Sequence, residues 1–411
     1  MKRYLFVLLI VCLCLTGLLL DRETIAQTAP KSIKISGVVS LTGGMAGQGT
    51  QLRNAYEIFA EKINASGGVY VKAFDKKIPI ELRVLDDESD GVKTQGQLEV
   101  ANSWDAVANW GGLGCSAFEM GTPIAQKNKM TWLGPGCGGW TPHQQNNKWL
   151  FSTFIKNPFT APSVFDMILR IPEPRPNKVA IFEINQLDAQ EAEQYWREAA
   201  NKNGFKIVFH QKYPAGNKDF SAMITGAKAA GAEILLAYPI PPEGLTLVKQ
   251  MKELDFSPKV AFLIRAPESS EFGPSLGALA DYVFVPVGWS NKMRLPGNEY
   301  LVPKFKEKYG KTPDPVVGSA YAAGEVLVNA IERAGTLERT AIRDAVKTTD
   351  METVAGHIRF SDEGWAIDKV LLILQWMGGD ANIVYANKAA EKYGDKIPMV
   401  PLKLQPKWAE R

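Results

Sequence analysis

Three histidines are the natural first place to look for catalysis or a metal, and they do not converge. His143, His210 and His357 stand far apart in the chain, and none falls in a metal-ligand spacing. Neither a G-x-S-x-G nucleophile elbow nor a G-x-x-x-x-G-K-[ST] phosphate loop occurs. No catalytic constellation, metal or cofactor is therefore expected. The stretch T-G-G-M-A-G-Q-G at 42–49, followed downstream by Asp86-Asp87, imitates a dinucleotide-binding turn. Its glycines miss the G-x-G-x-x-G spacing that brings a pyrophosphate onto a helix N-terminus. Two small-residue clusters suit ligand contact better. Gly114-Cys115-Ser116 would offer backbone N–H groups and a hydroxyl at the start of a helix, a setting that stabilises a carboxylate. Gly136-Cys137-Gly138-Gly139 would let a ligand approach the backbone. An ordinary turn with a helix cap is the plainer alternative for each.

The elements that must position these clusters alternate. Residues 33–40 are β-branched and apolar, as in a strand buried on both faces. Leu52, Ala55, Tyr56, Phe59 and Ile63 recur at helical spacing, and Ser66-Gly67-Gly68 stops that helix. Strands are expected at 78–85, 107–113 and 131–133, with helices at about 92–104 and 122–128. This repeated β-α-β pattern predicts a parallel sheet with right-handed crossovers. Pro158, Pro162, Pro172, Pro174 and Pro176 crowd a break at 156–177. The alternation then restarts, with strands at 179–184, 205–211, 234–238, 260–264 and 282–287. Helices follow at about 298–309, 317–334 and 338–347, then paired strands near 356–360 and 370–376. Two open parallel sheets put their functional loops at the strand carboxyl ends, and two such lobes face to face make a cleft.

A chain of 411 residues suits two separate cores. A net charge of +3 with no basic run gives no case for nucleic acid. Lys2 and Arg3 precede an apolar stretch at 5–20, shorter than a membrane span usually needs, and Thr24 and Ala26 offer a small-residue cleavage site. Residues 1–26 are expected to be an export signal, which places the mature chain in the periplasm. Removing them leaves Cys115 and Cys137 in an oxidising compartment.

The stretches G-V-V-S-L-T-G-G-M-A-G-Q-G from Gly37, E-K-I-N-A-S-G-G-V from Glu61 and V-L-D-D-E-S-D from Val84 carry a resemblance. So do P-A-G-N-K-D-F-S from Pro214, S-A-Y-A-A-G from Ser319 and F-S-D-E-G from Phe360. In that order they resemble the branched-chain amino-acid-binding proteins, type I periplasmic solute-binding proteins of ABC importers. The resemblance spans essentially the whole mature chain. It implies an α/β fold of two Rossmann-like lobes joined by three crossovers, a ligand held between them and no catalysis. It also implies a membrane permease as partner and a monomeric chain. Lobe 1 would comprise 31–155 plus about 290–356, and lobe 2 would comprise 156–289 plus about 357–411.

Carried over position by position, the resemblance implies ligand contacts at Gln48, at Cys115 and Ser116, at Cys137 and Gly138, and at Tyr321. Trp289 is expected near a crossover, placed to stack on an apolar ligand. Lobe 2 departs from the family pattern. Asp188-Ala189 replaces a Tyr-Gly pair, Ile240 lies in Tyr238-Pro239-Ile240-Pro241, and Arg265 stands where an acid usually takes the ligand's ammonium. A guanidinium accepts no hydrogen bond, so Asp188 either replaces the acid or pairs with Arg265. With a sheet order of 2-1-3-4, Cys115 and Cys137 end neighbouring strands, leaving either a disulfide or two free thiols on the ligand wall.

Overall fold

The computed structural model describes residues 28–411, so the expected export signal at 1–26 lies outside the described residues. The first part of the chain runs β1 (Ile33–Val39), α1 (Ala46–Ala65), β2 (Val69–Val71), β3 (Lys76–Ile78), β4 (Ile80–Asp86), α2 (Gly91–Ser103), β5 (Ala108–Gly111), α3 (Cys115–Lys127), β6 (Thr131–Gly134) and β7 (Leu150–Ser152). Strands β4-β1-β5-β6-β7 form one sheet, all parallel. The amphipathic face read from Leu52, Ala55, Tyr56 and Phe59 packs α1 onto that sheet, with Tyr56 stacked on Trp110 at 5.5 Å between ring centroids. The close approach of α1 to the end of β1 requires glycine at 49, where a Cβ would lie 1.7 Å from the Ser40 carbonyl oxygen.

The second part runs α4 (Asn157–Thr160), α5 (Ser163–Leu169), β8 (Lys178–Ile184), α6 (Leu187–Lys202), β9 (Lys206–Tyr213), α7 (Ser221–Ala229), β10 (Ile234–Ala237), α8 (Pro241–Glu253), β11 (Val260–Leu263), α9 (Phe272–Leu276) and β12 (Val283–Val287). Three helices, α10 (Asn298–Tyr309), α11 (Pro315–Ala334) and α12 (Arg339–Lys347), return to the first sheet. The chain ends with β13 (Asp350–Thr353), β14 (Gly356–Phe360), β15 (Ala366–Ile367), β16 (Leu372–Met377) and β17 (Asp380–Ala386). The larger sheet has the order β17-β16-β12-β11-β10-β8-β9; β8 to β12 run parallel, and the hairpin β16–β17 adds antiparallel at the edge. The result is a type I periplasmic binding protein architecture of two α/β lobes. The chain passes between them after Ser152, after Val287 and after Ile367. Among the described residues, no helix is long and apolar enough to cross a membrane.

Two readings of the C-terminal strands are corrected. The segments 356–360 and 370–376 do not pair with each other. Strand β14 folds back on β13 across the tight Val354-Ala355 turn, whereas the apolar β16 completes the larger sheet, where both of its faces are covered. The small sheet β13-β14-β15 joins lobe 1: Ser152 N–H donates to the Gly364 carbonyl at 2.8 Å, and Phe360 packs on Phe151. The lobe 1 segment therefore extends past 356, to Ile367.

Candidate functional site

Loops at the carboxyl ends of parallel strands from both sheets line a cavity of about 600 Å³, with a small inner chamber of about 30 Å³ beside it. From lobe 1, α3 begins immediately beyond β5, with Gly114 as its N-cap residue, so Cys115 and Ser116 open into the cavity on an N-terminal helical turn. The partial positive charge of such a terminus favours an anion. Cys115 and Cys137 are joined as a disulfide, their Cα atoms 5.0 Å apart, which ties the loop after β5 to the loop after β6. Gly138 sits against lobe 2: a Cβ there would lie 3.1 Å from Asn157 Oδ1 and 3.2 Å from Tyr238 Oη. Gln48 on α1 reaches the inner chamber, and its Oε1 is buried without a hydrogen-bond partner among the described residues.

From lobe 2, Asp188 in the first turn of α6, Ile240 just before α8, and Arg265 after β11 face the same space. Arg265 resolves the choice left open by its sequence. Its guanidinium pairs with the Asp188 carboxylate, donates to Gln186 Oε1 at 3.1 Å and lies over the Tyr238 ring at 4.7 Å. It holds a backbone φ of +78°, a strained value for a non-glycine residue and one that recurs at ligand clamps. The acid of this wall lies three residues further on. Glu268 lines the inner chamber and is 9% exposed; the backbone N–H of Arg265 donates to its carboxyl, and no ion pair engages it among the described residues. Burial pushes its carboxyl up to about 8, against the pull of Arg265.

The two walls also touch. Asn157 donates its backbone N–H to the Gly138 carbonyl at 2.8 Å and its side-chain amide to the Asp188 carbonyl at 2.9 Å. Glu191 on α6 accepts the Trp140 N–H at 2.7 Å, the Thr141 N–H at 3.1 Å and the Thr141 hydroxyl at 2.9 Å. These bonds latch lobe 2 onto the lobe 1 loop that carries Cys137 and Gly138. Hydrogen bonds to a charged group contribute about 1.5–3 kcal/mol each. Glu191→Ala should therefore raise the radius of gyration of the ligand-free protein in solution scattering and weaken ligand binding at least about tenfold. Unchanged scattering together with unchanged affinity would remove the latch.

Gln48, Cys115, Ser116, Gly138, Asp188, Ile240 and Arg265 thus share one cleft, with Cys137 bridged behind its wall. Trp289 and Tyr321 do not line it. Trp289 is fully buried in lobe 1, donates Nε1–H to Asn298 Oδ1 at 3.0 Å and packs into space left by Gly318. Tyr321 is fully buried on the face of α11 that packs against α1, edge-on to Phe59 at 5.0 Å. The small residues of α11 bring it close to α1, which turns Tyr321 into the core; Val316, in the first turn of α11, reaches the chamber instead. Asn157, Thr160, Glu191 and Glu268 were not singled out from the sequence. Asn157 and Thr160 sit in the proline-rich break, which reads as a linker, and Glu268 lies beyond the aligned position. Three ligand-type groups, Glu183, Glu193 and His210, do come together on lobe 2. Lys212 reaches Glu183 at 2.9 Å and Arg197 reaches the His210 ring at 2.8 Å, so the cluster is a neutralised charge network rather than an open cation site.

The profile described as "Periplasmic binding protein" matches residues 32–381. The Leu/Ile/Val-binding protein homolog 7 of Brucella abortus (strain 2308) is 23% identical over 392 residues, covering 89% of this chain and 94% of that protein. Among solved structures, the branched-chain amino acid transporter substrate-binding protein LivJ of Streptococcus pneumoniae, in complex with isoleucine, superposes with a TM-score of 0.77 at 20% identity, covering 87% of this chain and 99% of that one. A solute-binding protein of an ABC transporter from Rhodopseudomonas palustris BisB5, in complex with 3,4-dihydroxy benzoic acid, superposes at 0.76 and 19% identity, covering 88% and 98%. With its two parallel sheets, its ligand-sized cleft and a family match over most of its length, this chain belongs to the periplasmic binding protein family.

Proposed function

We propose that this protein captures an amino acid in the cleft, outside the inner membrane, and delivers it to the permease of an ABC importer. One observation carries the choice of ligand: Arg265 is already neutralised by Asp188, while the Glu268 carboxyl beside the inner chamber has no ion-pair partner among the described residues. A ligand carboxylate suits the N-terminus of α3 and the Ser116 hydroxyl, and a ligand ammonium suits Glu268. The unpartnered Gln48 Oε1 and Thr160 Oγ1 add acceptors to the same chamber. Amino acids are also what the isoleucine-bound Streptococcus protein takes. A second reading, a small aromatic acid, has its own support: a Glu268 carboxyl pushed up to about 8 is mostly protonated at neutral pH and donates a hydrogen bond to an anion.

A thermal-shift panel of amino acids and small aromatic acids tests both readings, since a tight ligand raises the melting temperature. No shift with any of them defeats the proposal. pH separates the two. An ammonium ligand needs ionised Glu268, so binding releases a proton, and affinity should rise about tenfold per pH unit below pH 8 before levelling off. An aromatic acid needs the protonated form, and its affinity should fall above pH 8. Either slope should vanish in Glu268→Gln.

A further inference from the structure

A second cavity, of about 210 Å³, opens at the hinge, where residues near 155 and 365–371 pass between the lobes. Its walls include two lysines with almost no solvent contact, Lys156 at 2% exposure and Lys369 at 7%. Each ammonium makes one hydrogen bond, Lys156 Nζ to the Cys137 carbonyl at 2.7 Å and Lys369 Nζ to the Ala355 carbonyl at 2.7 Å. Neither has a carboxylate at ion-pair distance among the described residues; Glu191 and Glu325 act on them only through space. An ammonium carries three donors, so both lysines hold unused N–H groups in a setting where an uncompensated charge is costly. Burial accordingly lowers both amines to about 7. The cavity also has an aromatic side. The rings of Phe159 and Trp365 stack with centroids 5.4 Å apart. Phe159 nonetheless remains 52% exposed, a large apolar ring left uncovered beside buried cations.

We infer that this hinge cavity is a second binding site, separate from the cleft, for a small organic anion with a flat apolar body, such as a monocyclic aromatic carboxylate. The carboxylate faces the lysine ammonium groups and the ring lies against Phe159 and Trp365. The size fits, because a cavity of about 150 Å³ already holds a benzene ring.

Titration of the full chain with 4-fluorobenzoate, followed by fluorine NMR, tests the site. A saturable bound signal is expected in the wild type and, equally, in Ser116→Trp, which fills the cleft. The affinity should fall at least about tenfold in Lys156→Met/Lys369→Met. It should also fall in Phe159→Ala, an exposed position whose loss leaves folding intact. Uncharged 4-fluorotoluene should bind at least about tenfold more weakly. The inference is overturned if no saturable signal appears in the wild type, or if Ser116→Trp abolishes it. Equal affinity in Phe159→Ala, or equal binding of 4-fluorotoluene, overturns it as well.

Discussion

Arg265→Ala should cost about 3–5 kcal/mol of stability, the loss expected when one partner of a buried ion pair is removed. The side chains involved are 11% and 4% exposed, so water cannot take over from the guanidinium, and Asp188 would be left as an uncompensated charge. Gln186 would lose its donor as well, and the Tyr238 ring its cation. The melting temperature should fall by about 4–6 °C when the chain unfolds as one unit. Asp188→Ala in the same chain should recover much of that loss, since replacing both partners removes the stranded charge. The backbone supplies an independent check. With φ at +78°, Arg265→Gly should be more stable than Arg265→Ala, by about 1 kcal/mol, because glycine accepts that conformation without strain. Calorimetry of the four proteins decides the matter: a loss below about 1 kcal/mol in Arg265→Ala, or no recovery in the double variant, would show that the pair is not what holds this wall.

Replacing both members of the disulfide, Cys115→Ser/Cys137→Ser, should cost about 3 kcal/mol, the unfolded-state entropy of a loop of this length. The sequence separation is 22 residues, and the Cα atoms are 5.0 Å apart in the folded chain. The effect should reach the ligand too, because the bridge joins the Ser116 loop to the Gly138 loop. Freed from each other, the two must be ordered at the moment of binding. Weaker binding should accompany the lower melting temperature. Thiol labelling after denaturation without reductant checks the premise: protein lacking residues 1–26 should take up no label, and two labelled cysteines would exclude the bridge.

Much of this protein was legible as pattern. The β-branched run at 33–40, the helical spacing from Leu52 to Phe59 and the restart after the proline-rich break follow from local periodicity, which a parallel sheet with covering helices makes regular. The small-residue clusters at Gly114 and Gly136 were legible for a related reason: at the end of a parallel strand, a loop that must approach something closely has little room for side chains. Short strands were harder. The hairpin β2–β3 and strand β7 span three residues each, too few to show a period. The late strands were assigned to the wrong partners because pairing is chosen by which edge is free, a property of the assembled sheets.

The sequence by itself determined the class of the molecule: two α/β lobes with loops of small residues at the strand ends. Only the tertiary structure decided which side chains meet. It turned Trp289 and Tyr321 into the core, because Gly318 and the small residues of α11 leave space there that large rings fill. It paired Arg265 with Asp188, far away in sequence, and exposed Glu268 to the chamber instead. A residue's type limits the chemistry available to it, but whether a charge is spent or free depends on neighbours that arrive from elsewhere in the chain.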